Sequence, residues 1–302
     1  MLLLAWLKTN RSPMTIAPSF AEIDVSGPDA RSFLHGQFAS DVQSVDIGDW
    51  RYSCYCLADG RVQALMMLAR SADTTVRLLL PAELSSAIAE RMQRFRLRAR
   101  CTISIRPVAI TPLTGTESTE SSRYDCAAFS WSVTPAAESS VLPAELWSQQ
   151  LALGVPWVTA ATSASFLPQM LALDRLRALS LRKGCFPGQE VVARTHFLGR
   201  VKRRLVTLRM DRSEVQPEPG CALVTQDGGD PAGTLLAIAD NGVGLAVVNE
   251  AVVRGSELRT ESLAQCATLV IDRDVNETIS DALLNGRCTP HSAHGVSTPK
   301  MV

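Results

Sequence analysis

The segment Lys183–Arg194, which reads KGCFPGQEVVAR, decides the interpretation of this chain and is called the signature segment below. Pro187 suits the first position of a helix, because that position needs no backbone N–H donor. Glu190 suits the first turn, where a carboxylate interacts favourably with the helix dipole, and Gly199 is a typical stop residue. The signature segment therefore predicts a short helix that begins at Pro187 and runs until Gly199.

Cys185 lies just before this predicted helix, where its surroundings change the chemistry of a thiol. The positive end of the helix dipole and Lys183 would both favour the thiolate over the thiol. Cys185 is therefore a candidate metal ligand or redox-sensitive nucleophile, and the alternative is a small buried apolar residue beside a glycine turn. Gln189 and Glu190 offer a donor and acceptors that suit the edge of a pterin-like ring, and they could equally cap the helix.

Upstream of the signature segment, the pattern alternates between strand and helix signals. A strand through Ile23 and Val25 is followed by a turn and a helix that carries Leu34. Between residues 51 and 70, two apolar stretches flank the turn Ala58-Asp59-Gly60. This arrangement predicts an antiparallel hairpin.

A row of arginines follows a helix that is expected to begin after Pro81. Residues 95–102 alternate between apolar and polar side chains, with Arg96, Arg98 and Arg100 on one side. This pattern predicts a half-buried strand with one basic face. We favour a solvated outer face, and a contact with an anion or RNA is the alternative.

Beyond Arg200 the pattern changes to short strands separated by Pro-Gly, Gly-Gly and Asn-Gly turns. Strands are expected at 204–210, 233–238 and 243–248, which predicts a small antiparallel barrel or sandwich. The chain loses its periodicity from about Asn276, and its last residues are too polar to bury a core. They are therefore expected to form a disordered tail.

Composition limits the classes of protein and of location. Thirty basic residues balance thirty acidic ones, so no overall charge attracts the chain to nucleic acid or to an anionic membrane. No apolar run approaches the length of a transmembrane helix, and the eight scattered cysteines do not resemble a secreted disulfide framework. Cys54 and Cys56 would share one face of a strand, where packing is favoured over a zinc site. A cytoplasmic protein without a metal site, and with no membrane partner, is predicted.

Three motifs together resemble the YgfZ family of the glycine-cleavage T-protein superfamily. The signature segment is similar to the family pattern K-G-C-Y-x-G-Q-E. A second match runs from Gly27-Pro28-Asp29 to the sequence GQFASDV at 36–42, and a third is Phe166-Leu167-Pro168-Gln169. The resemblance covers roughly residues 20 to 272.

The resemblance implies an α+β, GcvT/YgfZ-like multi-module fold around a central channel, with a C-terminal antiparallel β-barrel. The channel would hold tetrahydrofolate or a derivative. The implied organisation is a flexible N-terminal extension at 1–19, a folate-binding GcvT-like region of one or two modules at 20–200, the barrel at 201–275 and the disordered tail at 276–302. The folate-binding residues implied by the motifs are Gln37, Asp41, Gln169, Lys183, Gln189, Glu190 and Arg194.

The implied function is that of an accessory protein. It would bind folate and help to assemble or maintain iron–sulfur enzymes, including tRNA-modifying enzymes, with tRNA as an indirect partner. One alternative is a folate-dependent one-carbon transferase. Another is a direct tRNA-binding module that uses the arginine row and the basic run Arg200–Arg204, which is otherwise a solvated linker.

The chain departs from these patterns at three places. The hairpin sequence of aminomethyltransferases resembles the pattern D-G-G-x-x-D-D, whereas this chain reads DGRVQAL at 59–65. Because an apolar side chain neither takes up a proton nor stabilises an iminium charge, aminomethyl transfer is not predicted. Phe186 replaces the family's tyrosine, and Ala172 stands where an asparagine is expected, so each position loses a polar group. If the family's side chain hydrogen-bonds the ligand there, folate affinity is expected to be weaker in this chain.

Overall fold

The computed structural model describes residues 17–113, 122–210, 217–226, 230–260, 269–275, 283–284 and 286–289. The described α-helices are α1 (Ala30–Gln37), α2 (Ala82–Arg96), α3 (Ala144–Ala152) and α4 (Gln189–Phe197). The strands are β1 (Phe20–Ser26), β2 (Asp49–Cys56), β3 (Val62–Ala72), β4 (Thr75–Pro81), β5 (Thr102–Pro112), β6 (Ser122–Asp125), β7 (Ser130–Pro135), β8 (Arg203–Met210), β9 (Ala222–Thr225), β10 (Pro231–Ile238), β11 (Val243–Asn249), β12 (Glu257–Thr260), β13 (Leu269–Asp274) and β14 (Gly286–Thr289).

The strands form two closed antiparallel barrels. The first barrel has the order β1-β4-β3-β2-β14-β6-β7-β5, and the second has the order β10-β11-β8-β13-β12-β9. The hairpin predicted around Asp59 and Gly60 is present as β2 and β3, which pair from Trp50 opposite Ala69 to Cys56 opposite Val62. The strands predicted after Arg200 are present as β8, β10 and β11. The fold is therefore mixed α/β with more strands than helices.

Large aromatic side chains belong to the hydrophobic core of the first barrel. Trp131, Trp157, Tyr52 and Phe20 are almost completely buried. The Phe20 and Trp157 rings meet edge to face, with centroids 4.9 Å apart, a geometry that aromatic quadrupoles favour. The second barrel has a separate, smaller core of aliphatic side chains.

The strand predicted for residues 95–102 is wrong over most of its length. Helix α2 continues to Arg96, and β5 begins only at Thr102. Between them Leu97 adopts a left-handed φ of 44° and ends the helix. The alternating residues therefore begin in the last turn of α2 and not in a strand. Ile88 and Met92, buried in the preceding turns, show that the apolar face of α2 continues up to this point.

The arginines at 96–100 consequently form no row on a strand face. Arg96 donates to the carbonyl oxygen of Cys101 at 2.7 Å. Arg100 pairs with Asp29, with 3.0 Å between Nε and Oδ2. Arg98 is exposed. Two of the three guanidinium groups therefore have partners within the described structure.

Both expected terminal segments contain ordered residues. Strand β14, inside the segment expected to be a tail, pairs with β2 and β6 in the first barrel. Gly286 permits this pairing, because a Cβ there would lie 1.9 Å from the Trp50 indole. At the other end, Ala17 is buried and Ser19 bridges to Val141. Residues 1–16, 276–282 and 290–302 lie outside the described residues, and the division into domains stays a prediction.

No helix within the described ranges is long and apolar enough to cross a membrane.

Candidate functional site

Helix α4 is the helix that the signature segment predicts, and it begins two residues later than expected. Pro187 lies in the turn before it, where the Gln189 N–H donates to the carbonyl of Phe186 at 3.1 Å. The helix ends where the Leu198 N–H donates to the carbonyl of Arg194 at 2.9 Å. The prediction of a short helix at this position is confirmed.

Two glycines fix α4 against the turn between β2 and β3. Gly188 has a left-handed φ of 78°, and a Cβ on it would lie 2.2 Å from the carbonyl oxygen of Leu57. A Cβ on Gly60 would lie 3.1 Å from Val191. A Cβ would clash with the backbone at Gly188 and would crowd the Val191 side chain at Gly60, so the two glycines allow the close approach. The hairpin and the signature segment therefore meet directly.

Lys183 ties the signature segment to the end of α1. Its ammonium group donates to the carbonyl oxygens of His35 and Phe38 and lies 5.2 Å from the centroid of the Phe186 ring. Burial lowers the pKa of Lys183 to about 8, against the opposing effect of Asp41. The two carbonyl oxygens thus hold the ammonium group in place, but they stabilise its charge less well than bulk water does.

Polar side chains from the second motif surround this lysine. His35 Nδ1 lies 3.4 Å from Asp41 Oδ1, which also accepts from the Gln43 N–H at 3.1 Å. Burial and the nearby Lys183 charge lower the pKa of His35. Gln37 accepts from the Tyr55 hydroxyl at 3.3 Å. Of the predicted residues, Gln37, Asp41 and Lys183 therefore lie around one end of α1.

The three cysteines near this end differ in access to solvent. Cys185 is exposed, whereas Cys54 and Cys56 are buried, with their sulfurs 3.8 Å apart. The hydrogen bond with Cys56 and burial raise the pKa of Cys54. Among the described residues, no group of three or more His, Cys, Asp or Glu side chains could hold a metal ion. Exposure makes Cys185 the accessible thiol of the three.

Glu190 and Arg194 face solvent on the outer side of α4. They form an ion pair of 2.9 Å one helical turn apart, with their side chains 84% and 70% exposed. Gln189, beside them, is partly buried. The structure therefore separates this predicted pair from the residues around Lys183.

Gln169 borders a different feature, a cleft between α4 and the start of the second barrel. Its Nε2 donates to the carbonyl of Val192 at 2.8 Å, while its buried Oε1 has no hydrogen-bond partner within the described structure. The cleft has a volume of about 370 Å³. It is lined by Gln169, Asp174, Thr195, His196, Gly199, Val201, Arg203, Arg204 and Glu250.

Sequence reasoning missed most of this cleft. Only Gln169 of the third motif and the basic run pointed to it, and that run is not simply a solvated linker. Arg204 is partly buried and pairs with Asp274 at 2.7 Å, and Arg200 pairs with Glu250. Asp174 and His196 carried no signal, because tertiary packing alone brings them beside Arg203.

The positions that depart from the family patterns are buried. Ala64 and Leu65, in place of the aminomethyltransferase carboxylates, are both fully buried in β3. Ala172 is also fully buried and adopts a left-handed conformation, with φ 52° and ψ 30°. Asparagine tolerates this conformation better than alanine. The backbone therefore explains a preference for asparagine here without a ligand contact.

Comparison with known proteins agrees with the motifs. No protein-family model matches the chain. A tRNA-modifying protein YgfZ of Colwellia psychrerythraea is 26% identical, covering 88% of this chain and 92% of that protein. Proteins of the same name from Klebsiella pneumoniae and Edwardsiella ictaluri are 25% and 27% identical, covering 84% and 86% of this chain and 89% and 92% of those proteins.

A solved structure extends the comparison to the fold. The glycine cleavage system aminomethyltransferase T from Bartonella henselae superposes with a TM-score of 0.61 at 16% identity, covering 84% of this chain and 83% of that one. At this identity the likeness shows the fold alone. The chain is therefore similar over most of its length to YgfZ proteins, as its motifs predict, and it has a GcvT-like fold.

Proposed function

We propose that this chain is a folate-binding accessory protein that helps to assemble or maintain iron–sulfur enzymes, among them tRNA-modifying enzymes. The observation that carries the proposal is the contact of Lys183 with the carbonyls of His35 and Phe38. This contact joins two motifs that lie about 150 residues apart in the sequence, at the end of α1. The similarity to proteins named tRNA-modifying protein YgfZ supports the role.

The residues near this junction fit tetrahydrofolate. A pterin ring carries an amino group and an amide edge that need acceptors. The buried Oε1 atom of Gln63, in the hairpin strand β3, lacks a partner among the described residues, and such an atom costs free energy until a donor reaches it. Bound tetrahydrofolate would supply a carrier of one-carbon units. Gln37, Asp41, Lys183 and Gln189 would orient it, and the exposed Glu190 and Arg194 would reach only its outer part.

A folate-dependent one-carbon transferase is the second candidate function, because the fold is that of an aminomethyltransferase. The buried Ala64 and Leu65 offer no group that could move a proton in such a reaction. We therefore propose binding without aminomethyl transfer. Turnover of a one-carbon folate by the purified protein would favour the transferase instead.

Calorimetric titration with tetrahydrofolate, under reducing and anaerobic conditions, tests the proposal. Wild-type protein is expected to bind, and Gln63→Leu is expected to weaken binding by roughly twofold to tenfold, which corresponds to one hydrogen bond. Gln93→Leu is the matched control, since Gln93 is exposed on α2 and its side chain has a single hydrogen bond among the described residues, to the Ile103 carbonyl at 3.4 Å. No heat of binding with wild type would overturn the folate assignment.

The accessory role needs a readout in cells. Deletion of the gene is expected to lower the activity of iron–sulfur enzymes and the extent of their tRNA modifications, and wild-type protein should restore both. Fractionation of the same cells tests the proposed cytoplasmic location. Restoration by Gln63→Leu to the full wild-type extent, at folate concentrations where its weakened binding leaves most of the protein without ligand, would separate the cellular role from the ligand.

A further inference from the structure

The cleft between α4 and the second barrel has a rim that the proposed folate site does not use. Phe197 and Leu198, at the end of α4, are 70% and 86% exposed. They lie in sequence between His196 and Gly199, which both line the cleft. The His196 and Phe197 rings meet edge to face at 4.9 Å, which holds the aromatic pair together. An exposed aromatic ring therefore lies, in the chain, between two residues that line the polar cleft.

Cations without partners lie on the next strand. Arg200 pairs with Glu250, and Arg194 pairs with Glu190, so these charges are already compensated. Lys202, just before β8, and Arg203, its first residue, are exposed, and no ion pair or side-chain hydrogen bond joins them to another described residue. Two positive charges, one of them on the cleft-lining Arg203, are therefore available to an anionic ligand.

The cleft also offers an acceptor for an amino group. Asp174 lines it, and the Asp174 carboxylate has no side-chain partner among the residues that the structure describes. A carboxylate accepts hydrogen bonds only, so it suits the exocyclic amino group of adenine, cytosine or guanine and disfavours uracil. The volume of about 370 Å³ is enough for one nucleotide.

We propose that this cleft and its rim bind an unpaired segment of RNA. One base stacks on Phe197 with its amino group directed to Asp174, and the flanking phosphates contact Lys202 and Arg203. Stacking on an exposed aromatic side chain beside a basic groove is the usual way in which proteins hold single strands. The choice of RNA over DNA rests on the proposed role with tRNA-modifying enzymes, whereas the site itself rests on the cleft.

Fluorescence anisotropy with labelled RNA octamers tests the proposal on the full chain. The adenosine octamer is expected to bind about fivefold more tightly than the uridine octamer. The logarithm of the association constant should fall with the logarithm of salt concentration with a slope of about −1.4, as expected for two phosphates of a single strand. No binding of either octamer at 50 mM salt would overturn the proposal.

Four exposed or cleft-lining positions separate the parts of the site. Phe197→Ala should weaken binding about fivefold or more, and Lys202→Gln or Arg203→Gln should each reduce the slope by about 0.7. Asp174→Ala should remove the preference for adenosine, because alanine offers no acceptor to the amino group, and should leave the slope unchanged. Phe95→Ala and Arg98→Gln, which change another exposed aromatic side chain and another exposed arginine, are the matched controls. Equal losses in these controls would overturn the assignment to this cleft.

Tetrahydrofolate titrations of the same variants distinguish this proposal from the folate proposal. Phe197→Ala and Arg203→Gln should bind tetrahydrofolate as wild type does. A chain that binds RNA but no folate would leave the cleft assignment standing and overturn only the proposed function. A chain that binds folate but no RNA would overturn the cleft assignment and leave the proposed function standing.

Discussion

The two halves of the signature segment differ in how the fold uses them. Lys183 is partly buried, donates to two backbone carbonyls and has a pKa lowered to about 8. Glu190 and Arg194, which lie on α4 seven and eleven residues later, are exposed and pair with each other. A single motif therefore contains an anchor for the tertiary structure and a pair free to meet solvent or ligand. Only the first half is expected to affect stability strongly.

The largest effect is expected at the glycine between the two halves. Gly188→Ala should destabilise the fold by about 3 kcal/mol or more, because a left-handed backbone and a contact with the Leu57 carbonyl both oppose a side chain. Gly184→Ala is the matched control, since a Cβ there would meet nothing within 4 Å. Urea denaturation measures both. Similar unfolding free energies for the two variants would contradict the packing of α4 on the hairpin.

Removal of the anchoring charge should have an intermediate effect. Lys183→Met leaves the carbonyls of His35 and Phe38 without their donor and should lower stability at pH 7 by about 1–2 kcal/mol. The cost of burying the ammonium in wild type keeps this loss from being larger. Urea denaturation of Lys183→Met beside Arg182→Met, an exposed neighbour, checks it. An unchanged midpoint for Lys183→Met would show that the anchor contributes nothing.

The pH dependence of stability gives a separate test of the same lysine. Its pKa is lowered from 10.5 to about 8 by burial, so between these values the unfolded chain binds more protons than the folded one. Stability contributed by Lys183 should therefore rise as the pH increases from about 8 to 10.5, and be lost as the pH falls through 8. The difference in unfolding free energy between wild type and Lys183→Met isolates this contribution from other titrating groups. A difference that falls over this range would contradict the burial.

The smallest effect on stability is expected in the exposed half. Glu190→Gln and Arg194→Gln should each change the unfolding free energy by less than about 0.5 kcal/mol, because an exposed ion pair within a helix contributes little. Thermal denaturation at low and high salt measures this. A loss above 1 kcal/mol would mean that the pair has a structural role which its exposure does not suggest.

Local patterns predicted the elements whose signals come from neighbouring residues. The hairpin around Asp59 and Gly60, the short helix of the signature segment and strands β8, β10 and β11 were all identified in this way. The strand at 95–102 was wrong because alternation and helical spacing overlap over a few residues at the end of α2. Strand β14 was missed because its pairing partners, β2 and β6, are distant in the sequence.

The candidate site divides in the same way. The signature segment identified Lys183 and Cys185 as residues with chemistry, since their types and spacing are visible in the sequence. The separation of Lys183 from the exposed Glu190, and the meeting of Gln169, Asp174 and Arg203 in one cleft, depend on packing between distant segments.

The sequence by itself determined the similarity to YgfZ proteins and the absence of carboxylates at 64 and 65. The spacing of its apolar residues also located several of the strands and helices. These follow from residue identity and local spacing. Only the tertiary structure decided that Gly60 lies against Val191, that Lys183 reaches the end of α1, and that Phe197 stands exposed beside a cleft. Burial and pairing arise from contacts between residues far apart in the chain, and no local pattern contains that information.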